Sequence, residues 1–410
     1  MSSATVAAQQ EAPTKKQESV GAFSALASNA RQYGIVGALI VIVIVFEILT
    51  HGLLLKPNTF VQLIQQNAYV IILAVGMVMV IIATHIDLSV GSLVAFIGGC
   101  IAILMRSFNV NWFLAIVAGI VIGLLVGLWQ GFWVAIVGIP GFITTLAGML
   151  IFRGLATTML NASIPVNNKS FTAIASNYLP NVLGWWGPFD GLTVVVGIIA
   201  IVAFAWIQLR NRTKVAKTGL VPEAISLTII KIVIATAAIL GVTYLLASSG
   251  SATQGGIPIM LVIVVILVLV YNFLLTRTVF GRHVYAVGGN RRAASLSGIN
   301  THRVDFILFV HMGFLSAIAS IAMLSRLSSA SAATGNGFEL DVIAACFVGG
   351  TAVTGGVGTI PGVVVGAVVI GVINQGLSIM GVPSPMINTI KGLVLLLAVA
   401  MDLVSKRRKK

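Results

Sequence analysis

The stretch Ala68–Phe96, AYVIILAVGMVMVIIATHIDLSVGSLVAF, decides the fold class. From Ala68 to Ile82 it carries no charged residue. Thr84, His85, Asp87 and Ser89 then interrupt it, and an apolar run resumes at Val90. An apolar run near ~20 residues is what an α-helix needs to cross a bilayer. Such a run is too continuous for the alternating strands of a membrane barrel.

Working outward, the same pattern recurs along the chain. Apolar runs fall at about 35–55, 68–86, 88–105, 112–137, 142–160, 190–209, 227–248, 257–275, 306–326, 340–355, 361–381 and 386–404. The fold class expected is therefore an all-α polytopic integral membrane protein with about 10–12 transmembrane helices, some of them broken or re-entrant. Composition agrees: of 410 residues, 58% are hydrophobic and 8% charged, where a soluble domain carries roughly 25% charged residues. Residues 1–34 are polar and read as a disordered N-terminal tail. The first apolar run follows them too late for an ordinary signal peptide, so it reads as an uncleaved span. Residues 35–404 form the membrane domain and 405–410 a basic C-terminus.

The net charge of +14 suggests nucleic acid, but its placement does not. Seventeen of the 24 Lys and Arg sit in the tail, in Arg210–Lys217, between Arg277 and Arg303, and in Lys406–Lys410. Basic clusters beside apolar spans follow the positive-inside rule. Even numbers of spans separate these clusters, which places both termini and both basic loops in the cytoplasm. The segments 56–67, 161–189, 249–256 and 327–338 then fall on the opposite face. Trp185, Trp186 and Pro188 read there as an interfacial cap.

Two segments break the helical pattern. One is ATHIDLSVGSLVAF (Ala83–Phe96). The other is GGTAVTGGVGTIPGVVVGA (Gly349–Ala367), with seven glycines and a proline. Interrupted spans mark the pathway of transport proteins. The strings HIDLSVGSLVAFIGG and FELDVIAACFVGGTAVTGG share an acid before an apolar run ending in Gly-Gly, a weak sign of an internal repeat.

Catalytic chemistry has no visible carrier. Neither GGVGTIPG nor AVGGNRRAAS supplies the Lys of a phosphate-binding loop. The five histidines lack ligand spacing, no nucleophile elbow occurs, and Cys100 and Cys346 sit in apolar runs. The intramembrane acids are Asp87, Glu339 and Asp341. A buried acid is a functional candidate by default. Asp87 either accepts hydrogen bonds from Ser89 or a substrate hydroxyl inside a broken span, or caps the following helix at the membrane surface.

The last feature is Gly281–Asn300, GRHVYAVGGNRRAASLSGIN. Residues 291–297 have helix-forming content, with Asn290 as N-cap and Gly298 as stop. The segment reads either as a surface helix that docks a partner, with glycines making tight turns around it, or as a basic loop that fixes topology.

RTVFGRHVYAVGGNRRAASLSGIN, AVGMVMVIIATHIDLSVGSLVAFIGG, GFITTLAGMLIFRGLA and ELDVIAACFVGGTAVTGGVGTIPGVVVGA together resemble the permease subunits of bacterial monosaccharide ABC importers, the ribose, galactose and xylose group. The motifs recur in order from about 60 to 404. An extra pair of spans near 190–250 around the basic loop 210–217, with SRLSSAS and AMDLVSKRRKK, is similar to xylose and multiple-sugar permeases. The resemblance implies an inner-membrane homodimer that works with a cytoplasmic ABC ATPase, which holds ATP and Mg, and a periplasmic sugar-binding protein. No cofactor, metal site or ATPase site is implied in this chain itself. The resemblance puts the ATPase-coupling loop at Gly281, Arg282, Tyr285, Gly288, Gly289, Asn290, Ala294, Ser297 and Gly298. His85 departs from the family's signature and takes no role.

A neutral sugar calls for amides and hydroxyls. Gln66, Asn67, Asp87, Ser89, Asn374, Gln375 and Ser378 are the pathway candidates. Each could equally serve helix–helix hydrogen bonding. The alternative function is a self-contained secondary transporter or channel for a small polar solute.

Overall fold

The computed structural model describes residues 30–218, 224–251 and 254–407. The expected N-terminal tail lies outside them apart from its last few residues, as do 408–410 of the basic C-terminus. Among the described residues the chain forms fifteen α-helices and strands of two residues only. It is an all-α polytopic membrane protein.

The helices are α1 (Ala30–Leu49), α2 (Pro57–Ile82), α3 (Val90–Arg106), α4 (Trp112–Gly131, prolonged by a π-helical segment Phe132–Val137), α5 (Gly141–Met159), α6 (Lys169–Ser176), α7 (Gly191–Lys217) and α8 (Ile225–Ala247). They continue with α9 (Ile259–Arg277), α10 (Val279–Gly289), α11 (Arg291–Leu296), α12 (Thr301–Leu327), α13 (Phe338–Val348), α14 (Ile360–Ile379) and α15 (Ser384–Arg407). Eight are long and apolar enough to cross a bilayer. Three shorter apolar helices, at Gly34–Leu49, Val90–Arg106 and Ser384–Leu397, accompany them.

Two expectations change. The run at 340–355 is no full span: α13 has 11 residues, about 16 Å of helix, and a non-helical segment follows to α14. Seven glycines across Gly349–Ala367 make a continuous helix unfavourable there. The cluster Arg210–Lys217 is no loop but the last turns of α7. Arg and Lys are good helix formers, and cations suit a helix C-terminus.

Residues Val196–Gly241, most of the α7–α8 pair, belong to a compact unit of their own. Only 11% of the spanning window of each of these helices is buried, so their Ile, Val and Leu side chains suit lipid.

In the larger unit α2 is the axis. Its spanning window is 78% buried, and residues 67–83 are almost continuously inaccessible. It packs against α12, α14, α9 and α13. A helix apolar on all sides belongs in such a centre. The closest pairing is α4 with α12. Gly123, Gly127 and Gly131, one per turn, lie against the backbone at Gly313, Phe309 and Phe306. Small residues at this spacing let membrane helices touch backbone to backbone, where dispersion does the holding.

The connections gather at two ends. At one, β1 (Ile164–Pro165) pairs with β6 (Ser329–Ala330), and the hairpins β2–β3 (Trp185–Trp186, Phe189–Asp190) and β4–β5 (Gly250–Ser251, Gln254–Gly255) form. Leu179 N–H donates to Ile257 O at 2.8 Å, and Ala175 N–H to Ser325 Oγ at 3.0 Å. This hairpin end unites parts of all four segments expected on one face: 56–67, 161–189, 249–256 and 327–338. The opposite, junction end holds the break after α2, the loop 349–359 and α10–α11.

Candidate functional site

The glycine-rich stretch Gly281–Asn300 forms α10 and α11. Thr278 Oγ1 caps α10 by accepting from Gly281 N–H at 3.2 Å. Asn290 Oδ1 caps α11 by accepting from Ala293 N–H at 2.9 Å. Gly298, at φ +84°, ends the turn after it, the left-handed position that glycine fills without strain. Asn290 and Gly298 thus act as the local pattern predicts.

Gly288 and Gly289 do not make turns. Both lie in α10, and Gly288 is there for closeness. A Cβ on it would strike the carbonyl of Ile82, the last residue of α2, and stand 2.8 Å from Gly356 N. Gly356 N–H itself donates to Ile82 O at 2.9 Å. Tyr285 completes the joint, its hydroxyl donating to Gly358 O at 2.6 Å. Burial raises the Tyr285 phenol above its ordinary pKa, so it remains a donor. One short helix therefore rests on the end of α2 and on the glycine loop before α14.

A chain of polar side chains adds a second joint. Arg291 at the start of α11 pairs with Asp305 Oδ2, with Nη1 at 3.0 Å and Nη2 also in contact. Asp305 Oδ1 lies 3.2 Å from His85 Nε2. The Asp305 side chain is 3% exposed. A carboxylate so buried depends on its partners. His85, left without a role by sequence reasoning, thus ties the break after α2 to α11 through α12. His302 Nδ1 lies 2.6 Å from Ala135 O in the π-helical segment, the kind of irregular turn that recurs at functional sites.

The break itself, residues 83–89, is held by side chains of α4 and α5 and by its own Asp87. Thr145 Oγ1 of α5 lies 3.1 Å from Ile86 O and accepts from Leu88 N–H at 3.1 Å. Asp87 Oδ1 accepts from Ser89 N–H at 2.8 Å and from Ser89 Oγ at 2.6 Å, and Gln130 Nε2 donates to Ser89 Oγ at 2.7 Å. Asp87 and Ser89 are both 0% exposed. Asp87 therefore caps the turn into α3 but lies in the interior, not at the surface. Irregular backbone at membrane depth survives only with such partners.

A third arrangement joins the two interrupted segments. Gly91, in the first turn of α3, abuts the carbonyl of Gly335 and the carboxylate of Glu339 at the start of α13. From this point α3 runs to the hairpin end, against β1 and β6, and α13 runs to the junction end. Gly335 and Gly337, at φ +77° and +78°, turn the chain into α13. Arg153 Nη1 of α5 holds the preceding segment by donating to Ala332 O at 2.5 Å and Thr334 O at 2.9 Å. Converging N-termini of interrupted helices present amide dipoles to a polar solute within a bilayer. Behind them Tyr69 stacks on Phe338 at 3.6 Å and donates to Asp341 Oδ2 at 2.9 Å, while Lys391 Nζ of α15 stands 2.7 Å from Asp341 Oδ1.

The pathway candidates are not brought to one place. Asp87 and Ser89 join Gln130 at the break. Asn67, 15 residues before Ile82 on α2, is about 22 Å away along the helix. It packs on Gly371 of α14, its Nδ2 donating to Leu63 O at 2.9 Å. Gln375 is buried, Gln66 and Asn374 half-buried and Ser378 exposed. Of the coupling residues, Gly281, Gly288 and Ala294 are buried, Tyr285 is half-buried, and Arg282, Gly289, Asn290, Ser297 and Gly298 are exposed. Sequence reading missed Asp305, Arg291, Gln130 and Leu296. Leu296, 84% exposed at the end of α11, was legible as an apolar residue in a polar stretch.

Broken helices inside an apolar bundle, with a capped helix pair packed on their ends, define a multi-pass transport permease. The family described as branched-chain amino acid transport system / permease component matches residues 59–399, and the chain belongs to it. The xylose transport system permease protein XylH of Escherichia coli strain K12 is 38% identical over 390 residues, 95% of this chain and 96% of that protein. The Haemophilus influenzae protein of the same name is 37% identical over 93% of this chain and 98% of its own. The ribose import permease protein RbsC of Escherichia coli strain K12 is 32% identical over 89% and 91%. No solved structure matches significantly.

Proposed function

We propose that this chain is the membrane-spanning permease subunit of an ATP-driven sugar importer, with xylose or a related monosaccharide as its cargo. The similarity to xylose permeases over 95% of the chain supports the substrate class. Two copies form the transport unit in a bacterial inner membrane, with both termini cytoplasmic. A separate ABC ATPase binds ATP and Mg, so this chain contributes no ATPase site. A periplasmic binding protein delivers sugar at the hairpin end.

The observation that carries the reading is the seating of α10–α11 on the two interrupted segments. Gly288 meets Ile82 and Gly356, and Arg291 reaches His85 through Asp305. Closure of an ATPase dimer against exposed Arg282, Arg292 and Leu296 would move α11 as a rigid piece. The motion passes to the break at 83–89 and to the loop 349–359, and so to the starts of α3 and α13. Alternating access follows from two arrangements of that crossing.

The test is uptake of labelled xylose and ribose into proteoliposomes holding this chain with its ATPase and binding protein. ATP-dependent uptake, lost in Arg282→Glu, is the expected result. Uptake by this chain alone, driven by a proton gradient, would show a secondary transporter instead. Alkylation of Thr213→Cys only from outside the cell would reverse the orientation.

A further inference from the structure

The hairpin end carries a cavity of about 500 Å3, far from the junction and outside the pathway residues discussed so far. Asn58, Gln62 and Gln65 line it from one face of α2, spaced four and three residues apart as a helix face requires. Ser176 at the end of α6 and Tyr178 just beyond it close it, with Arg326 from the last turn of α12. Its volume lies within the roughly 300–1,000 Å3 usual for small-molecule sites.

The chemistry of the lining is specific. Four carboxamides (Asn58, Gln62, Gln65 and Gln254), a hydroxyl and a phenol offer both donors and acceptors. Asn58 Oδ1 accepts from Gly250 N–H at 2.7 Å, which orients its amide group. Among the described residues the Gln62 and Tyr178 side chains have no hydrogen-bond partner of their own. Arg326 Nη1 reaches Gln65 Oε1 at 3.4 Å. Among the described residues no acidic side chain lines the space. Arg326 stands at the C-terminal end of α12, where the helix dipole offsets a cation. The cavity is therefore amide-rich with a single cation, and two flat groups, the Tyr178 ring and the Arg326 guanidinium, can lie against C–H faces. Vicinal hydroxyls of a neutral polyol match this set. An anion would want a second cation.

We propose that this cavity is a receiving subsite for a neutral monosaccharide, occupied before the sugar reaches the crossing of α3 and α13. The assignment rests on the sugar-import reading above. Gln62 is exposed, so Gln62→Cys, with Cys100 and Cys346 replaced by Ala, can be alkylated by a hydrophilic maleimide in the assembled transporter. Bound sugar slows labelling by 1 + [L]/Kd, about threefold at twice Kd. The expected result is protection by xylose or ribose, none by inorganic phosphate, and no sugar effect on labelling of Thr213→Cys, an exposed position outside this lining. Weaker protection in Tyr178→Ala and Arg326→Gln would assign it to this lining. Protection by phosphate and not by sugar overturns the ligand class. Normal ATP-driven sugar uptake with no protection by either sugar overturns the subsite and leaves the import reading standing. Absence of ATP-driven uptake strikes that reading instead.

Discussion

The α-carbon of Gly288 faces the carbonyl oxygen of Ile82 so closely that no side chain fits between them. The same oxygen accepts from Gly356 N–H. Three segments distant in sequence therefore share one atom: the end of α2, the end of α10 and the loop before α14.

Replacing Gly288 by Leu forces these backbones apart, and overpacking of this kind costs about 1–3 kcal/mol. ATP-driven uptake is expected to fall at least about tenfold, the change that 1.4 kcal/mol makes. Gly154→Ala on α5 is the control, since a Cβ there meets nothing within 4 Å. It should retain uptake within about twofold, as surface substitutions usually do. Equal loss in both variants would show that any added side chain disturbs uptake, and not contact with Ile82 in particular.

Leu296 is expected to be a contact for the ATPase and nothing more within this chain, because it is 84% exposed. Leu296→Ala should leave thermal stability in detergent unchanged. It should weaken co-purification of the ATPase by roughly tenfold, the effect of losing somewhat more than 1 kcal/mol at an interface anchor. A loss of stability without a change in ATPase binding would refute the docking role.

Asp305 joins Arg291 to His85, so its replacement should uncouple the two. Asp305→Asn is expected to lower thermal stability and to reduce the ATPase activity that sugar-loaded binding protein stimulates. Arg291→Gln added to Asp305→Asn should cost less than the sum of the single changes, with a coupling energy of about 0.5–3 kcal/mol. Strict additivity would mean that the pair contributes nothing together.

Much of this arrangement was readable along the chain where its causes are local. Apolar runs marked the spans because a bilayer demands length and composition. Asn290 and Gly298 marked the ends of α11 because caps act within three residues. The glycines of Gly349–Ala367 and the polar interruption at Ala83–Ser89 marked the breaks. What could not be read depends on distance in sequence. His85 and Asp305 lie 220 residues apart, and no spacing rule joins them. Gly288 carries the same pattern whether it turns or is touched, and only the position of Ile82 decides. The apolar run from Leu340 suggested a span, yet hydrophobicity does not separate a full helix from an 11-residue helix followed by a partly exposed loop.

Asp341 offers the sharpest energetic test. Its side chain is 4% exposed, with Lys391 Nζ at 2.7 Å on one oxygen and Tyr69 Oη at 2.9 Å on the other. Removing one member of a buried ion pair strands the other charge, at about 3–5 kcal/mol, whereas replacing both by neutral groups of similar size is often tolerated. Lys391→Met alone is therefore expected to lower the melting temperature in detergent and the yield of folded protein. Lys391→Met with Asp341→Asn should recover most of that loss, because the amide can still accept from Tyr69 and no charge remains buried. The double variant separates structure from transport. If it folds like the parent but no longer imports sugar, the Asp341 charge serves the movement of α13 against α15. If it imports normally, the pair only fastens the last helix to the bundle.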